Sequence, residues 1–278
     1  MNDPNDYAER VQRVVDFLAE HLDDALDLES LARVACFSPY HFHRMYRALL
    51  GETVSDTVRR LRLRRAAIDL LDRDLSIERT AGRAGYASQA AFTRAFSAEY
   101  GRPPARYRGA RRAAQLDPET HAAGYQVEIV TLPRMRVATI QYRGDYQLAG
   151  RAFERLMTLA ATTGLLTADT RSIGIFCDDP VSVPVAELRA AVCITVSDDW
   201  APSGELTEAH VEGGRYARVV HTGPYTELKT AYDWLYQTWL ATSTDEPRDL
   251  PCIELYLNNP RHVPAKDLET AVMMPLVG

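Results

Sequence analysis

The spacing of apolar residues divides the chain into a helical first part and a mixed second part. Val11, Val14, Val15, Leu18 and Leu22 fall on one side of a 3.6-residue repeat and predict an amphipathic helix from Tyr7 to Leu22. Asp27 stands where a cap belongs for a short helix over 28–35. After a break at Cys36-Phe37, Ser38-Pro39 supplies the cap and first residue of a longer helix that Gly51 stops. The same pattern returns fifty residues on: Ser38-x-x-x-Phe42-x-Arg44-x-Tyr46 with Gly51 matches Ser88-x-x-x-Phe92-x-Arg94-x-Phe96 with Gly101. A shorter helix precedes each copy, holding Ala32 or Ala81, with Cys36-Phe37 or Gly85-Tyr86 in the turn. Between the copies, Val54 to Leu71 reads as a connecting helix with an apolar stripe at Val58, Leu61, Ile68 and Leu71, and with Arg59, Arg60, Arg62, Arg64 and Arg65 on its other faces.

Residues 113–124, small and polar with Pro118 and Gly124, read as a linker. Beyond them, alternation over 137–142 and 216–221 predicts strands, and 148–161 and 226–240 predict helices. A second duplication, about 80 residues apart, relates these pieces. Arg143-Gly144-Asp145-Tyr146 corresponds to Thr222-Gly223-Pro224-Tyr225, Ala152-Phe153-x-x-Leu156 to Ala231-Tyr232-x-x-Leu235, Asp179-Pro180 to Asn259-Pro260, and Leu188-x-x-Ala191-Val192 to Leu268-x-x-Ala271-Val272. Each copy reads as strand, helix, strand, strand. The expected architecture is an all-α domain over 1–112, with two helix-turn-helix units joined by a linker helix, followed after 113–124 by an α+β domain over 125–278 that is a duplicated β-α-β-β unit. A cleft between its two copies is the natural place for a ligand.

A hydrophobic content of 46% and a charged content of 25% are those of a globular chain and argue against extensive disorder or a membrane protein. No apolar run is long enough to span a bilayer, and Met1-Asn2-Asp3-Pro4 lacks the basic and apolar regions of a signal peptide, so the expected location is cytoplasmic. Cys36, Cys177, Cys193 and Cys252 are far apart, with neither C-x-x-C spacing nor neighbouring histidines, and are expected to be buried thiols rather than metal ligands or disulfides. No cofactor motif or catalytic nucleophile with a base is found, whether phosphate loop, G-x-G-x-x-G, G-x-S-x-G or H-E-x-x-H.

Charge changes the picture more than composition does. The net −6 hides a division: residues 30–112 carry 17 Arg against 7 Asp and Glu, a balance of +10, while residues 115–278 carry 13 Lys and Arg against 22 Asp and Glu, a balance of −9. A basic helical part beside an acidic one is the footprint of double-stranded DNA bound by one domain only. With Phe42, Tyr46 and Leu49, or Phe92 and Phe96, turned to the core, the second helices expose Tyr40, His43, Arg44 and Arg47, and Gln89, Ala90, Thr93 and Arg94. Arginine pairs bidentately with guanine, glutamine with adenine, and threonine meets a base or a thymine methyl. For Arg106, Arg108, Arg111, Arg112 and the linker arginines, phosphate contact or solvation is the expectation. In the acidic part, Glu254 interrupts the apolar strand Cys252-Ile253-Glu254-Leu255-Tyr256-Leu257 where the first copy has Gly174. An inward carboxylate needs compensation, from a bound cation or from an arginine, unless it lies on the exposed face. Tyr225, Tyr232, Trp234, Tyr236 and Trp239 are the aromatics at hand to stack on a flat ligand.

Asp74-Leu75-Ser76-Ile77, then Ala81-x-x-x-Gly85-Tyr86-x-Ser88-x-x-x-Phe92-x-Arg94-x-Phe96 and Gly101-Arg102-Pro103-Pro104-x-x-Tyr107-Arg108, resembles the signature of the AraC/XylS transcription regulators over about residues 7–112. The resemblance to their subgroup with an N-terminal DNA-binding domain implies that Tyr40, His43 and Arg44 read bases from the first unit and Gln89, Thr93 and Arg94 from the second. It also implies a contact with RNA polymerase. Thr80 departs from the branched aliphatic residue usual there, which is expected to loosen the second unit, and Ala90 replaces a commonly polar reader. Residues 125–278 resemble the GyrI-like effector-binding domain through Gly223-Pro224-Tyr225, Tyr232-x-Trp234 and Pro251-x-x-Glu254-x-Tyr256-Leu257. That likeness implies a small-molecule effector, hydrophobic or cationic, bound by Glu254 with Tyr225, Trp234 and Tyr256. Some proteins of that kind are similar to hydrolases that use an equivalent glutamate, so hydrolysis of the ligand at Glu254 stands as the alternative to simple sensing.

Overall fold

Helices follow one another in the first part, among them α1 (Pro4–Glu20), α2 (Leu28–Val34), α3 (Pro39–Leu50), α4 (Val54–Asp72), α5 (Ile77–Arg83) and α6 (Gln89–Tyr100). The computed structural model describes residues 4–24, 26–72, 75–109 and 124–278; most of the stretch expected to be a linker lies outside them. By its contacts the chain divides into two units, one of residues 1–120 with 157–165 and 260–266, the other of 121–156, 166–259 and 267–278.

Local chemistry starts each short helix and each helix that follows it. The side chains of Asp27, Ser38, Ser76 and Ser88 accept the backbone N–H three residues on, satisfying donors that a helix start leaves free. The turns between paired helices repeat as closely as the caps do. Phe37 N–H donates to the Ala32 carbonyl at 2.9 Å, and Tyr86 N–H donates to the Ala81 carbonyl at 3.0 Å, the six-residue closure of a left-handed helix end. Cys36 and Gly85 occupy the left-handed position, at φ +53° and +81°. This location exposes Cys36, and Cys177, just past the end of a strand, is exposed too; only Cys193 and Cys252 are the buried thiols expected of all four.

Val11, Val14, Val15 and Leu18 of α1 pack with Leu31, Ala32, Phe42 and Tyr46 in one core, in which Phe42 and Tyr46 are wholly buried. Truncating such an aromatic costs about 3–5 kcal/mol. The Tyr46 hydroxyl donates to Thr57 Oγ1 at 2.9 Å and so ties α3 to α4. The stripe foreseen on α4 is displaced: Thr57, Leu63, Ala66, Ala67 and Leu70 are buried, and Val58, Leu61, Ile68 and Leu71 only half so. The helix packs on both α3 and α5, so no single face carries its contacts. Thr80 is fully buried, with its hydroxyl donating to the Ser76 carbonyl at 3.0 Å, which pairs the one polar atom that set it apart from an aliphatic residue.

The second part of the chain contains β1 (Glu128–Leu132), β2 (Met135–Arg143), α7 (Gly150–Thr162), β3 (Ser172–Phe176), β4 (Arg189–Thr195), β5 (Thr207–Val211), β6 (Gly214–Thr222), α8 (Lys229–Trp234), β7 (Cys252–Tyr256) and β8 (Glu269–Pro275). The helix expected over 226–240 has unequal turns, since α8 passes into a π-helical stretch at Leu235–Trp239. All strands join one antiparallel sheet in the order β1-β6-β8-β7-β3-β4-β2-β5. The two β-α-β-β copies meet at β3 and β7, where Gly174 pairs directly with Glu254. β1 and β5, outside the foreseen repeat, are exchanged: β1 precedes the first copy but pairs with β6, and β5 precedes the second but pairs with β2.

That exchange forces curvature. Only Pro133 and Arg134 separate β1 from β2. A flat sheet would part them by six spacings, roughly 29 Å, whereas so short a link reaches ~10 Å. The sheet therefore curls, and Met135, Val137, Ile173, Val211, Tyr216, Ile253 and Met273 form one cluster on its inner face.

The turn geometry predicts opposite effects from two substitutions. A non-glycine residue in the left-handed region carries a penalty of about 1 kcal/mol, and a Cβ at Gly85 would also displace the Arg62 guanidinium. Cys36→Gly should raise, and Gly85→Ala should lower, the urea midpoint of the helical signal in far-ultraviolet circular dichroism.

Candidate functional site

The helices α3 and α6 present comparable outer faces. Behind α3 lie Phe42 and Tyr46, and behind α6 lie Phe92, Phe96 and Tyr100, all buried. The buried rings leave His43, Arg44 and Arg47 exposed on α3, and Gln89, Ala90 and Arg94 exposed on α6, with Thr93 half-buried. The side chain of Tyr40 lies outside the described residues.

The basic excess of this unit divides into two populations that sequence could not separate. Arg60 binds the buried Glu52 through two hydrogen bonds, of 2.6 and 3.2 Å. Arg62 donates to the carbonyls of Leu22 and Asp24 at 2.9 and 3.0 Å, closing the gap between α1 and α4. Arg65 bridges Asp23 and the Arg83 carbonyl, Arg83 pairs with the buried Asp69 at 3.1 Å, and Arg108 donates to the Leu75 carbonyl. The expectation that the linker arginines and Arg108 contact phosphate or stand in solvent is corrected for Arg60, Arg62, Arg65 and Arg108: each is spent on carbonyls or carboxylates within the fold, because a five-donor guanidinium can close several helix ends at once. Arg111 and Arg112 lie outside the described residues.

The second site is built on β7. Alternation places Cys252, Glu254 and Tyr256 on one side of the sheet and Ile253 and Leu255 on the inner side. Glu254 is buried, and both its carboxylate oxygens are occupied: Tyr256 Oη donates to Oε2 at 2.7 Å, and Tyr232 Oη, from α8, donates to Oε1 at 3.1 Å. Burial pushes the Glu254 carboxyl up to about 7, against the pull of those two hydroxyls. Burial raises both tyrosines well above the ordinary phenol, and the adjacent carboxylate adds to it. Of the alternatives foreseen from sequence to a bound cation, neither a pairing with arginine nor an exposed face is found among the described residues: the carboxylate is buried and held by neutral hydroxyls.

Aromatic rings surround this group. Tyr256 meets Phe153 of α7 and Tyr225 edge-on, with centroids at 4.9 and 5.2 Å, and Tyr236 Oη lies 3.2 Å from Cys252 Sγ. Gly174 belongs to the same construction, since a Cβ there would stand 2.8 Å from Tyr256 Oη and 2.7 Å from the Phe176 ring. Of the residues proposed for effector binding, Glu254, Tyr225 and Tyr256 are brought together and Trp234 is not. Trp234 packs edge-on against Tyr125 at 5.6 Å. It lies two residues, about 200° of helix, from the inward-facing Tyr232. Phe153 was missed, and Tyr232 was noted only as one aromatic among several. The duplication that aligns the two was the available signal.

Among the described residues no group of three or more His, Cys, Asp or Glu could hold a metal, and no helix is long and apolar enough to cross a membrane.

Comparison with known proteins places each part of the chain in a family. Residues 31–110 match a helix-turn-helix domain family, and residues 125–277 match the GyrI-like small molecule binding domain. The regulatory protein SoxS of Salmonella typhimurium is 32% identical over 98 residues, which are 35% of this chain and 92% of SoxS. An HTH-type transcriptional regulator of Bacillus subtilis, YbfP, is 36% identical over 102 residues, 37% of this chain and 35% of YbfP, so this chain spans about a third of that relative. The solved EcmrR–DNA complex in EcmrR-RPo, 14% identical with a TM-score of 0.50, covers 90% of this chain and 98% of its own. The chain belongs to the AraC-type helix-turn-helix regulators that carry a GyrI-like small-molecule-binding domain.

Proposed function

We propose that this protein reads a specific DNA sequence through α3 and α6 and adjusts that binding to a hydrophobic, positively charged small molecule received at Glu254. In the first unit, His43, Arg44 and Arg47, with Tyr40, select bases in one major-groove segment, and Gln89, Thr93 and Arg94 select them in the next. Two such helices on one connector suit successive turns of a duplex, and phosphate contacts supply most of the affinity. The regulators that the chain resembles imply a contact with RNA polymerase and a place of work in the cytoplasm.

The observation that carries the effector reading is a buried carboxyl, pushed up to about 7 by that burial, whose hydrogen bonds among the described residues come from neutral hydroxyls and which is ringed by Phe153, Tyr225, Tyr232 and Tyr256. Such a group lacks a positive partner. A ligand cation supplies it, and the rings add cation–π attraction. A sensing role is favoured over hydrolysis because the family to which the chain belongs is one of transcription regulators; the raised carboxyl by itself would suit a general base as well as a partner for a cation.

Arg44→Ala or Arg94→Ala should weaken binding to a duplex selected from a random pool by about 1–3 kcal/mol, with a smaller loss on scrambled duplex in fluorescence anisotropy. Equal losses on both would make these residues phosphate contacts. A lipophilic quaternary ammonium should bind more tightly as pH rises through about 7, because Glu254 must lose its proton to pair with it; affinity should fall up to tenfold per unit below that pH. Calorimetry should also record proton release, and Glu254→Gln should remove the pH dependence. Turnover of the ligand that Glu254→Gln abolishes would favour the hydrolytic reading instead.

A further inference from the structure

Residues 260–266 lie in the chain between β7 and β8, yet by their contacts they belong with the helices. They touch the C-terminal ends of both α3 and α6. Arg261 Nη1 donates at 3.3 Å to the carbonyl of Leu50, one of those that a helix end leaves free, and its Nε lies 3.4 Å from Glu52 Oε1. The Ala265 N–H donates to Glu99 Oε1 of α6 at 2.9 Å. Lys266 lies against Gly101, where α6 ends, so that a Cβ on that glycine would stand 3.4 Å from the Lys266 Cβ.

The first copy of the repeat supplies a comparison. Asp179-Pro180 aligns with Asn259-Pro260, so Val181 corresponds to Arg261 and Val185 to Ala265. Each segment continues into a short 3-10 turn, over Val185–Glu187 and Ala265–Asp267. Val181 is 81% exposed, whereas the Arg261 side chain is 7% exposed. The local shape is thus common to both copies, and the buried arginine is particular to the second. Countercharge does not account for it, because Arg60 already binds Glu52 through two hydrogen bonds, and a further buried guanidinium carries a desolvation cost. What Arg261 adds is a link. Helix contacts run from α3 to α4, α5 and α6 in turn, whereas the backbone of 261–265 joins the end of α3 to Glu99 of α6 directly.

We propose that residues 260–266 are a brace that fixes the spacing of α3 and α6, with Arg261 and Glu99 as positioning residues at its two ends. The proposal rests on DNA being read through both helices. One base pair inserted between the two segments read would shift the second by ~3.4 Å and turn it by about 35°, which a braced pair of helices tolerates poorly. Fluorescence anisotropy of the full chain compares a duplex selected from a random pool with the same duplex carrying one base pair inserted between its two protected segments. The wild type should prefer the selected spacing about tenfold or more, and Arg261→Gln and Glu99→Ala should each reduce that preference about fivefold. Because breaking either end frees the brace, the double variant should lose no more than the single ones. Val181→Gln, at the matching position of the first copy, should change nothing. Glu99→Ala, at a half-buried helix position that suits alanine, keeps the test open should Arg261→Gln fail to fold. By removing an acidic group it should tighten binding to scrambled duplex while lowering the preference, a combination that general destabilisation would not produce. Preference retained in both single variants, or losses that add in the double variant, would overturn the brace and leave the two-helix reading intact. A wild type indifferent to the inserted base pair would overturn both.

Discussion

The antiparallel ladder between β3 and β7 is the interaction on which the second unit depends. It joins the two β-α-β-β copies into one sheet and sets Gly174 opposite Glu254 at their meeting point. A duplicated fold would ordinarily place equivalent residues there, two carboxylates or two glycines. Two facing carboxylates would repel each other in a dry environment, and two glycines would leave nothing to recognise charge. The divergence of one position from its counterpart admits a single carboxyl, together with the room that Tyr256 needs to reach it. The aromatic frame is shared by both copies, with Phe153 opposite Tyr232 and Phe176 opposite Tyr256 in the repeat, and hydroxyls are added only on the second.

Curvature gives the same sheet two chemically different faces. The exchange of β1 and β5 bends the inner face around an apolar cluster edged by Arg171 and Arg218, while the outer face holds Glu254 among tyrosines. Because side chains alternate along each strand, neighbouring residues such as Glu254 and Leu255 face environments of opposite character.

In the helical unit, positive charge holds the fold together as well as facing outward. Arg60, Arg62 and Arg65 bind carboxylates and carbonyls that the short helices would otherwise leave unsatisfied. Arg44, Arg47 and Arg94 remain on outer faces because the buried Phe42, Tyr46, Phe92 and Phe96 turn them there. The close approach of Arg62 to Gly85 shows how one arginine can restrict a turn that is distant in sequence.

Local rules suffice for much of this protein. The caps at Asp27, Ser38 and Ser88, both duplications and the split of charge depend on residues near one another in the chain or on exact repetition, so the sequence by itself determined the helical pairs, the repeated β-α-β-β units and the choice of Glu254 over Gly174. Tertiary structure alone decided the rest. It shifted the buried stripe of α4, because two neighbours rather than one pack on that helix. It exchanged β1 and β5, took Arg60, Arg62, Arg65 and Arg108 into internal bonds, turned Trp234 toward Tyr125 and brought Phe153 to Tyr256. Each of these outcomes turns on which surfaces meet across long stretches of chain, and the periodicity of a single element records that a face is apolar without recording what will cover it.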